Sequence, residues 1–372
     1  MKKIDFLNYR DINYKYKKEY INIFSNFLDS GWYVLGNNVK KFEKEYAVFS
    51  ETKYCVGVAS GLDALILCLK ALDIGQGDEV IVPSNTYIAS WLAITQVGAK
   101  PIPVEPKIDS YNLNPVLIEN VITKNTKAVM VVNLYGQSAE LSEIDKICKS
   151  KHIFLIEDNA QAQGAKYKGI STGSFGIINA TSFYPGKNLG ALGDAGAITT
   201  NNKDLYEKVK TLRNYGSKIK YINEIKGINS RLDELQAGFL SLKLLDLKKQ
   251  NNYRKLCSKK YFEILNSESQ IILPIIDKYC SSVYHIYLIR TKKRDELQKY
   301  LNLFSIQTMI HYPVPPHLQS AYNDLGYVKG DFSIAEEIAN TALSLPMGGH
   351  LSLSDIEFVG KKIIDFFNKD TK

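Results

Sequence analysis

Short apolar runs that alternate with helix-like segments constrain the fold of this chain more than any other feature. The runs cover residues 54–59, 80–83, 101–104, 128–134 and 154–156. Continuous apolar runs are typical of strands buried on both faces, and strands that alternate with helices form parallel sheets. The pattern therefore predicts an α/β fold whose large domain is a mostly parallel sheet covered by helices.

Two helices are expected before this region, and strands joined by turns after it. Apolar residues at helical spacing predict the helices over residues 20–28 and 39–49. After residue 156 the chain becomes glycine-rich, with strand-like runs at 180–184 and 197–199.

A long helix from Leu232 towards Leu256 is expected to connect two domains. We place the boundary within it, so that residues 1–245 form the large domain and residues 246–372 form a smaller α+β domain. The smaller domain is expected to contain strands at 283–290 and 307–311 and a terminal helix after Ser354.

The length and composition exclude several classes of protein. With 372 residues, 45% of them hydrophobic, the chain can bury a sizeable core, so it is neither disordered, collagen-like nor a disulfide-stapled mini-domain. The net charge of +8 comes from basic clusters scattered among helix-like segments, which is typical of solvated helix faces rather than a nucleic-acid groove. A polyanionic small ligand is compatible with this charge.

The cysteines and the N-terminal residues bear on the cellular compartment. The five cysteines include no CxxC pair and lie mostly in apolar runs, so we expect buried free thiols in a reducing compartment. The first residues contain no apolar signal segment, and no stretch approaches the ~20 apolar residues of a membrane span. We expect a cytoplasmic protein with no membrane or nucleic-acid partner.

The segment around Lys187 is the most unusual stretch for chemistry. A strand-like run leads into Pro185 and Gly186, and this turn delivers Lys187 into a glycine-rich loop. By turn chemistry alone the lysine could be solvent-exposed. Asp158 follows the apolar run at 154–156, at the strand end where α/β sheets bind ligands, although it could equally cap a helix. Enzymes that use pyridoxal 5'-phosphate (PLP) pair such a lysine with an aspartate at the pyridine nitrogen.

A phosphate site is suggested at Ser60 and Gly61, between a strand and a helix, where free N–H groups and the helix dipole favour an anion. Many strand–helix turns contain Ser-Gly, so this signal is weak alone. Other cofactor motifs are missing: the spacing before Lys187 does not fit a P-loop, and the glycines after it do not fit the dinucleotide fingerprint. The histidines are too dispersed for a local metal motif, and no metal is expected.

Six segments, in this order along the chain, resemble those of the DegT-type nucleotide-sugar aminotransferases, which are PLP enzymes of the aspartate aminotransferase fold (fold type I). The resemblance covers nearly the whole chain and lies at residues 30–36, 59–65, 77–83, 157–161, 182–190 and 229–237.

The resemblance implies roles for individual residues. Lys187 would form the Schiff base with PLP and shuttle a proton between cofactor and substrate carbons, and Asp158 would bind the pyridine nitrogen. Gln161 would lie on the side of the cofactor that carries the phenolic oxygen. Tyr87 would stack on the cofactor ring, although from the sequence alone it could equally be a core residue. The phosphate would be held by Gly61, Leu62 and Ser182.

Asn229 matches a residue that the family supplies from the neighbouring subunit, so the resemblance implies a homodimer with shared active sites. The chain departs from the family at two positions, with Gln163 where histidine is common and Ala195 where a second glycine is common. Neither position forms the Schiff base, so we expect altered contacts rather than altered chemistry.

The resemblance also implies the reaction. L-Glutamate would donate an amino group to C3 of a dTDP-3-keto-6-deoxyhexose of the glucose or galactose type, for O-antigen, lipopolysaccharide or other deoxysugar biosynthesis. His311 and Tyr312 are candidates for sugar or nucleotide contact, and a structural role at a strand end is equally open. The alternatives are a 4-aminotransferase acting on a 4-keto sugar nucleotide and a non-catalytic PLP-binding regulator.

Overall fold

The computed structural model describes residues 2–369. Its helices are α1 (Tyr9–Tyr14), α2 (Lys17–Ser30), α3 (Asn37–Phe49), α4 (Gly61–Ala71), α5 (Ile88–Gln96), α6 (Pro115–Ile118), α7 (Leu141–Ser150), α8 (Lys203–Leu212), α9 (Glu234–Leu265), α10 (Arg294–Leu303), α11 (Ser333–Thr341) and α12 (Leu353–Lys369). Within the described range, no helix combines the length and the apolar character needed to cross a membrane.

The strands are β1 (Tyr54–Val58), β2 (Glu79–Pro83), β3 (Lys100–Val104), β4 (Thr126–Val132), β5 (Phe154–Asp158), β6 (Lys166–Tyr167), β7 (Ile170–Ser171), β8 (Ile178–Ser182), β9 (Gly196–Thr200), β10 (Ser217–Ile219), β11 (Ile222–Asn223), β12 (Cys280–Ser281), β13 (Tyr287–Arg290) and β14 (Ala342–Leu345). Seven of them form one sheet in the order β1-β9-β8-β5-β4-β2-β3. Only β9 runs antiparallel to its neighbours, so the predicted mostly parallel sheet is confirmed.

Helices cover both faces of this sheet because its strands are apolar on both sides. One core packs α4, α5 and α8 against the sheet around the fully buried Trp91. On the opposite face, α3 and α9 pack around Phe42, Tyr46 and Phe183. Packing on both faces leaves the strand ends as the place where polar side chains of the sheet can meet a ligand.

The long helix predicted from the sequence is α9, which continues through residue 245 without a break. A separate apolar core beyond it joins α9, α10 and α12 to the pair β13 and β14, and Ile4 packs into the same core. The N-terminal residues therefore lie against the C-terminal part of the chain, and Ile4 pairs with Ile306.

Two expected strands differ from the structure. The strand expected at 283–290 is shorter and covers Tyr287–Arg290. The prediction of a strand at 307–311 is wrong: within it only Met309 forms a bridge, to Ser344. The Gln307 N–H donates to the Ile4 carbonyl and the His311 carbonyl accepts a hydrogen bond from the Tyr135 hydroxyl at 2.5 Å, so the two ends of the segment have different partners. The prediction of free cysteines is confirmed, with four of them buried and Cys280 partly buried.

Candidate active site

A cavity of about 800 Å³ opens at the carboxyl edge of the sheet. Every site residue proposed from the sequence lines it except one, so that residues up to 251 positions apart converge: Gly61, Leu62, Tyr87, Asp158, Gln161, Ser182, Lys187, His311 and Tyr312. The exception, Asn229, is exposed and lines a separate cavity beside Tyr33 and Arg231.

Lys187 is held at this cavity by a tight turn after β8. Its N–H donates to the Tyr184 carbonyl at 2.8 Å, and Phe183 anchors the turn by packing edge-on against Phe42 and Tyr46 at 5.3 and 5.0 Å between ring centroids. Gly190 closes the turn, where a Cβ would lie 2.3 Å from the Pro185 carbonyl oxygen. The turn therefore fixes the direction of the lysine independently of any ligand.

Burial lowers the pKa of the Lys187 amine to about 8, and the negative charge of Asp158 opposes this effect. A free lysine titrates near 10.4, so far more of this amine is neutral at physiological pH. A neutral amine is both a nucleophile and a base, so this lysine can react at physiological pH far more readily than a solvated one.

Asp158 ends β5 and is only 6% exposed. Its Oδ2 accepts a hydrogen bond from Ser90 at 2.9 Å, and its Oδ1 accepts one from the N–H of Ala160 at 3.1 Å. Burial raises the pKa of this carboxyl, and these two hydrogen bonds together with the charge of Lys187 oppose the shift. A buried carboxylate without a bonded cation is a suitable partner for a protonated ring nitrogen.

The preceding residue, Glu157, points to the other face of β5 and has a structural role. Its carboxylate accepts hydrogen bonds from Asn133 at 2.9 Å and from the N–H groups of Gly173, Phe175 and Gly176 at 2.9, 2.7 and 3.2 Å. Successive side chains of a strand point to opposite faces. The Glu157 side chain therefore points towards the loop at residues 173–176, and the Asp158 side chain points into the cavity.

The first turn of α4 forms an anion cradle. Ser60 caps the helix by accepting from the N–H of Asp63 at 3.1 Å, which leaves the N–H groups of Gly61 and Leu62 without helical acceptors. A Cβ on Gly61 would lie only 2.5 Å from the Cβ of Ser182, so the glycine allows the serine to approach the helix terminus. Two free N–H groups and a hydroxyl at a helix N-terminus fit a phosphate.

Gln161 and the aromatic residues form the opposite wall. The Gln161 side chain accepts from the N–H of Tyr135 at 2.7 Å and donates to the Tyr312 hydroxyl at 2.9 Å. The rings of Tyr312 and Tyr87 are 5.2 Å apart between centroids, and Tyr87 remains 53% exposed. An exposed tyrosine at a cavity can stack on a planar ligand.

Two histidines near Lys187 are neutral around physiological pH. Burial lowers the pKa of His311 to about 4, and it lowers that of His285 well below the usual range. His311 Nδ1 lies 2.9 Å from Ser344 Oγ, and the Nδ1–H of His285 donates to Asn188 Oδ1 at 3.1 Å. Both rings therefore orient neighbours through hydrogen bonds rather than by carrying charge.

The two departures from the family pattern, Gln163 and Ala195, both contact the chain at the end of β8. Gln163 is fully buried and donates to the Ser182 carbonyl at 2.7 Å, so it supports the strand end that carries the serine. Ala195 accepts a hydrogen bond from the N–H of Phe183 at 2.8 Å through its carbonyl, a contact that any residue can make.

Sequence reasoning missed several residues at the site, among them Ser90, Asn188, His285 and Arg254. Ser90 lies in the first turn of α5, and its hydroxyl is 3.1 Å from that of Thr86 in the preceding loop, a proximity that the four-residue spacing only weakly suggests. Nothing in the local sequence marks His285 or Arg254, because contacts between distant segments bring them to the cavity.

These residues fit PLP part by part. The cradle at α4 suits the phosphate, Asp158 suits a cationic ring nitrogen, Tyr87 suits the ring face, and Lys187 supplies the amine. The donor types agree with what the cofactor requires of a protein.

Comparison with known proteins also indicates a PLP-dependent aminotransferase. A model of the DegT/DnrJ/EryC1/StrS aminotransferase family matches residues 15–364. The chain is 50% identical to a dTDP-3-amino-3,6-dideoxy-alpha-D-galactopyranose transaminase of Aneurinibacillus thermoaerophilus, over 96% of this chain and 97% of that protein. It is 44% identical to a dTDP-3-amino-3,4,6-trideoxy-alpha-D-glucose transaminase of Streptomyces venezuelae, over 94% and 92% of the two chains.

The fold agrees with a solved structure as well. The crystal structure of S. venezuelae DesV in complex with a ketimine intermediate superposes with a TM-score of 0.97 at 42% identity, covering 98% of this chain and 99% of that one. With the family model matching almost the full length, the chain belongs to the DegT/DnrJ/EryC1/StrS aminotransferase family.

Proposed function

We propose that the protein transfers an amino group from L-glutamate to C3 of a dTDP-3-keto-6-deoxyhexose, giving a dTDP-3-amino-3,6-dideoxyhexose. The observation that carries this proposal is the meeting of Lys187, Asp158 and the α4 cradle in one cavity of a chain so similar to a 3-amino-3,6-dideoxygalactose transaminase. The glucose and galactose types differ at C4, and the galactose type is supported by the relative with 50% identity.

PLP is the cofactor of this family member. When bound, it supplies a carbon that carries the amino group and a ring that accepts the electrons released with the donor's α-proton. Gly61, Leu62 and Ser182 would hold its phosphate, and Asp158 would stabilise positive charge on its ring nitrogen. Because Ser90 and Ala160 fix both oxygens of Asp158, the carboxylate would need little reorganisation to pair with a cationic ring nitrogen.

Lys187 performs the proton transfers. Its amine, with a pKa of about 8, would move the donor's α-proton to the cofactor carbon in the first half-reaction and a proton from that carbon to C3 of the sugar in the second. The turn that fixes Lys187 directs its side chain into the cavity, so the same group would act first as base and then as acid within each half-reaction.

His311 and Tyr312 are the proposed sugar contacts. Both lie on the wall formed by residues 307–312, and the neutral imidazole and the phenol offer hydrogen bonds without a charge penalty. A sugar hydroxyl that pairs with buried polar groups discriminates strongly against analogues that lack it.

A homodimer is proposed from the surface of the chain. Apolar side chains of α2 and the following loop are exposed, including Ile21, Phe24, Leu28 and Trp32. A contiguous exposed apolar patch marks a protein interface. Asn229 lies outside the Lys187 cavity of its own chain, which fits a role in the site of a second subunit.

The test is the release of 2-oxoglutarate from L-glutamate by the PLP-loaded protein in the presence of a dTDP-keto-6-deoxyhexose. We expect continuous release only when the keto sugar is present, because the sugar must remove the amino group before a second glutamate can react. No release of 2-oxoglutarate would favour the PLP-binding regulator, and a single stoichiometric release that the sugar does not extend would mean that this sugar is not the acceptor.

A further inference from the structure

A buried arginine of α9 lines the same cavity. Arg254 is only 7% exposed, and its Nη1 donates to the carbonyl oxygens of Tyr284, His285 and Met347 at 3.2, 3.2 and 3.3 Å. These bonds fix the guanidinium plane, but carbonyl oxygens carry only partial charge and do not neutralise it.

Other buried arginines of the chain have carboxylate partners. Arg213 pairs with Glu43, and Arg290 pairs with Glu337 at 2.9 Å. Among residues 2–369, no carboxylate lies within 4.0 Å of the Arg254 side chain. Burial lowers the pKa of this guanidinium to about 10, so it stays protonated at neutral pH in a place where its charge is poorly solvated. A buried cation of this kind is stabilised by an anion that enters the cavity.

Arg254 and Lys187 line the same cavity and are linked through two hydrogen bonds. Arg254 donates to the carbonyl of His285, whose ring donates to Asn188, the residue next to Lys187. Arg254 and Lys187 thus belong to neighbouring parts of one wall. The acidic residues of the cavity are Asp158, which is bound by Ser90 and Ala160, and the exposed Asp194.

The chemistry of the two substrates selects the anion. An amino-acid donor must place its nitrogen where Lys187 reacts, and its α-carboxylate is attached to the same carbon, so it must lie against the wall beside Lys187. The reacting end of a keto sugar carries no negative charge, and its diphosphate lies beyond C1. The cofactor phosphate is accounted for by the α4 cradle. A carboxylate is therefore the anion that fits, and guanidinium groups bind carboxylates in a fixed bidentate geometry.

We propose that Arg254 binds a carboxylate of the amino-acid donor and thereby orients its α-carbon towards Lys187. This inference rests on the proposed aminotransferase function and assigns the donor subsite within it. It also implies that Arg254 serves only one half-reaction, because the sugar brings no carboxylate to this wall.

The test compares Arg254→Lys with Arg290→Lys, a matched change at a buried arginine that pairs with Glu337 and does not line the cavity. Glutarate, an unreactive dicarboxylate, is titrated into each PLP-loaded protein by calorimetry. The two half-reactions are then followed separately through the visible absorbance of the bound cofactor. For Arg254→Lys we expect glutarate to bind about 10- to 100-fold more weakly and the KM for L-glutamate to rise by a similar factor.

The sugar half-reaction of Arg254→Lys should stay within about twofold of wild type, and Arg290→Lys should leave all three readouts within about twofold. Equal losses in both half-reactions would mean that Arg254 only supports the fold. A loss confined to the sugar half-reaction would assign Arg254 to the diphosphate and overturn the proposal. L-Alanine, which has only the α-carboxylate, distinguishes the two carboxylates: an equal rise in its KM assigns Arg254 to the α-carboxylate, and an unchanged KM assigns it to the side-chain carboxylate.

A crystal structure of the wild-type protein with glutarate keeps the proposal testable if Arg254→Lys does not fold. A carboxylate within about 3.2 Å of an Arg254 nitrogen supports it, and glutarate bound elsewhere in the cavity overturns it. The proposed function fails separately, if L-glutamate leaves the cofactor absorbance of the wild-type protein unchanged while glutarate still binds at Arg254.

Discussion

Lys187 and Asp158 line the same cavity, but different local structures hold them there. The lysine depends on a turn that Phe183 and Gly190 fix, and the aspartate depends on the end of a buried strand. Their opposite charges also influence each other, which holds the lysine pKa higher than burial alone would. Each can therefore be tested by a change that leaves the other in place.

Replacing Lys187 by alanine should abolish turnover and preserve the fold. The amine is the base for both proton transfers, and general base catalysis contributes about 10²- to 10⁴-fold, with covalent capture of PLP lost in addition. We expect activity to fall at least about 10³-fold in the 2-oxoglutarate assay. Circular dichroism should be unchanged, and Lys203→Ala, at an exposed lysine, should retain full activity. Undiminished transamination by Lys187→Ala would contradict the assignment.

The pKa of Lys187 predicts the pH dependence of cofactor capture by the apoprotein. Below about pH 8 the amine is protonated and cannot attack the PLP aldehyde, so the rate of capture should rise with pH and level off just above 8. Stopped-flow absorbance measures this rate. A rate that keeps rising to pH 10, as for a free lysine, would show that the amine is solvated.

At the residue level, the candidates chosen from sequence motifs are brought together in one cavity by the structure, with Asn229 as the exception. Lys187 and Asp158 stand out because a lysine after Pro-Gly and an acid after an apolar strand are chemically unusual. Arg254 and His285 could not be found this way, because their relevance depends on the approach of α9 and residues 284–287 to the turn of Lys187. No local pattern records such an approach.

Helix α4 has two requirements at its N-terminus. Its first turn must leave N–H groups free for a phosphate, and it must also pack against Ser182. The glycine at its first position makes both possible, because any side chain there would collide with Ser182. The helix body is apolar and buried between the sheet and α5, so the N-terminus cannot shift to relieve a collision.

Gly61→Ala should therefore weaken PLP binding more than it weakens the fold. The added Cβ would lie 2.5 Å from the Ser182 Cβ and displace the hydroxyl from the cradle. We expect at least about a tenfold increase in the Kd for PLP, measured by absorbance titration of the apoprotein. Gly75→Ala is the control, since its nearest contact is the Val97 carbonyl at 3.4 Å. Equal affinities for the two variants would argue against a phosphate at α4.

The strands differ in how well their positions could be predicted from the sequence. Strands β1 to β5 were predicted closely because buried parallel strands are continuous apolar runs with sharp ends. The segment at 307–311 mixes polar and apolar residues and forms a wall of the cavity, where Met309 bridges to Ser344 and the ring of Phe6 lies 5.7 Å from that of His311 between centroids. Tertiary contacts with the N-terminal residues decide its conformation, and these are not visible locally.

For the whole molecule, the central question is whether one chain holds a complete site. The cavity contains every proposed cofactor residue except Asn229, and apolar side chains of α2 remain exposed. Both facts fit a dimer in which each subunit completes the site of the other. The domain boundary near residue 245 remains a prediction, since α9 runs through it unbroken.

Mixing two inactive variants tests this arrangement. Lys187→Ala and Asn229→Ala should each have low activity, and a mixture exchanged under mild denaturation should recover about a quarter of the wild-type activity. The reason is that half of the random dimers are mixed, and each mixed dimer keeps one intact site. Light scattering should give the mass of two chains. Activity that does not rise on mixing, with dimers formed, would mean that Asn229 acts within its own chain.

The position of the new amine tests the central claim most directly. The PLP-loaded protein and ¹⁵N-labelled L-glutamate are incubated separately with dTDP-3-keto-6-deoxygalactose, dTDP-3-keto-6-deoxyglucose and dTDP-4-keto-6-deoxyglucose, and each product is analysed by NMR and mass spectrometry. We predict ¹⁵N at C3 of a 3-keto sugar and no amination of the 4-keto sugar. Label at C4 would contradict the assigned substrate while preserving the cofactor site, and no label in any sugar would contradict the proposed function itself.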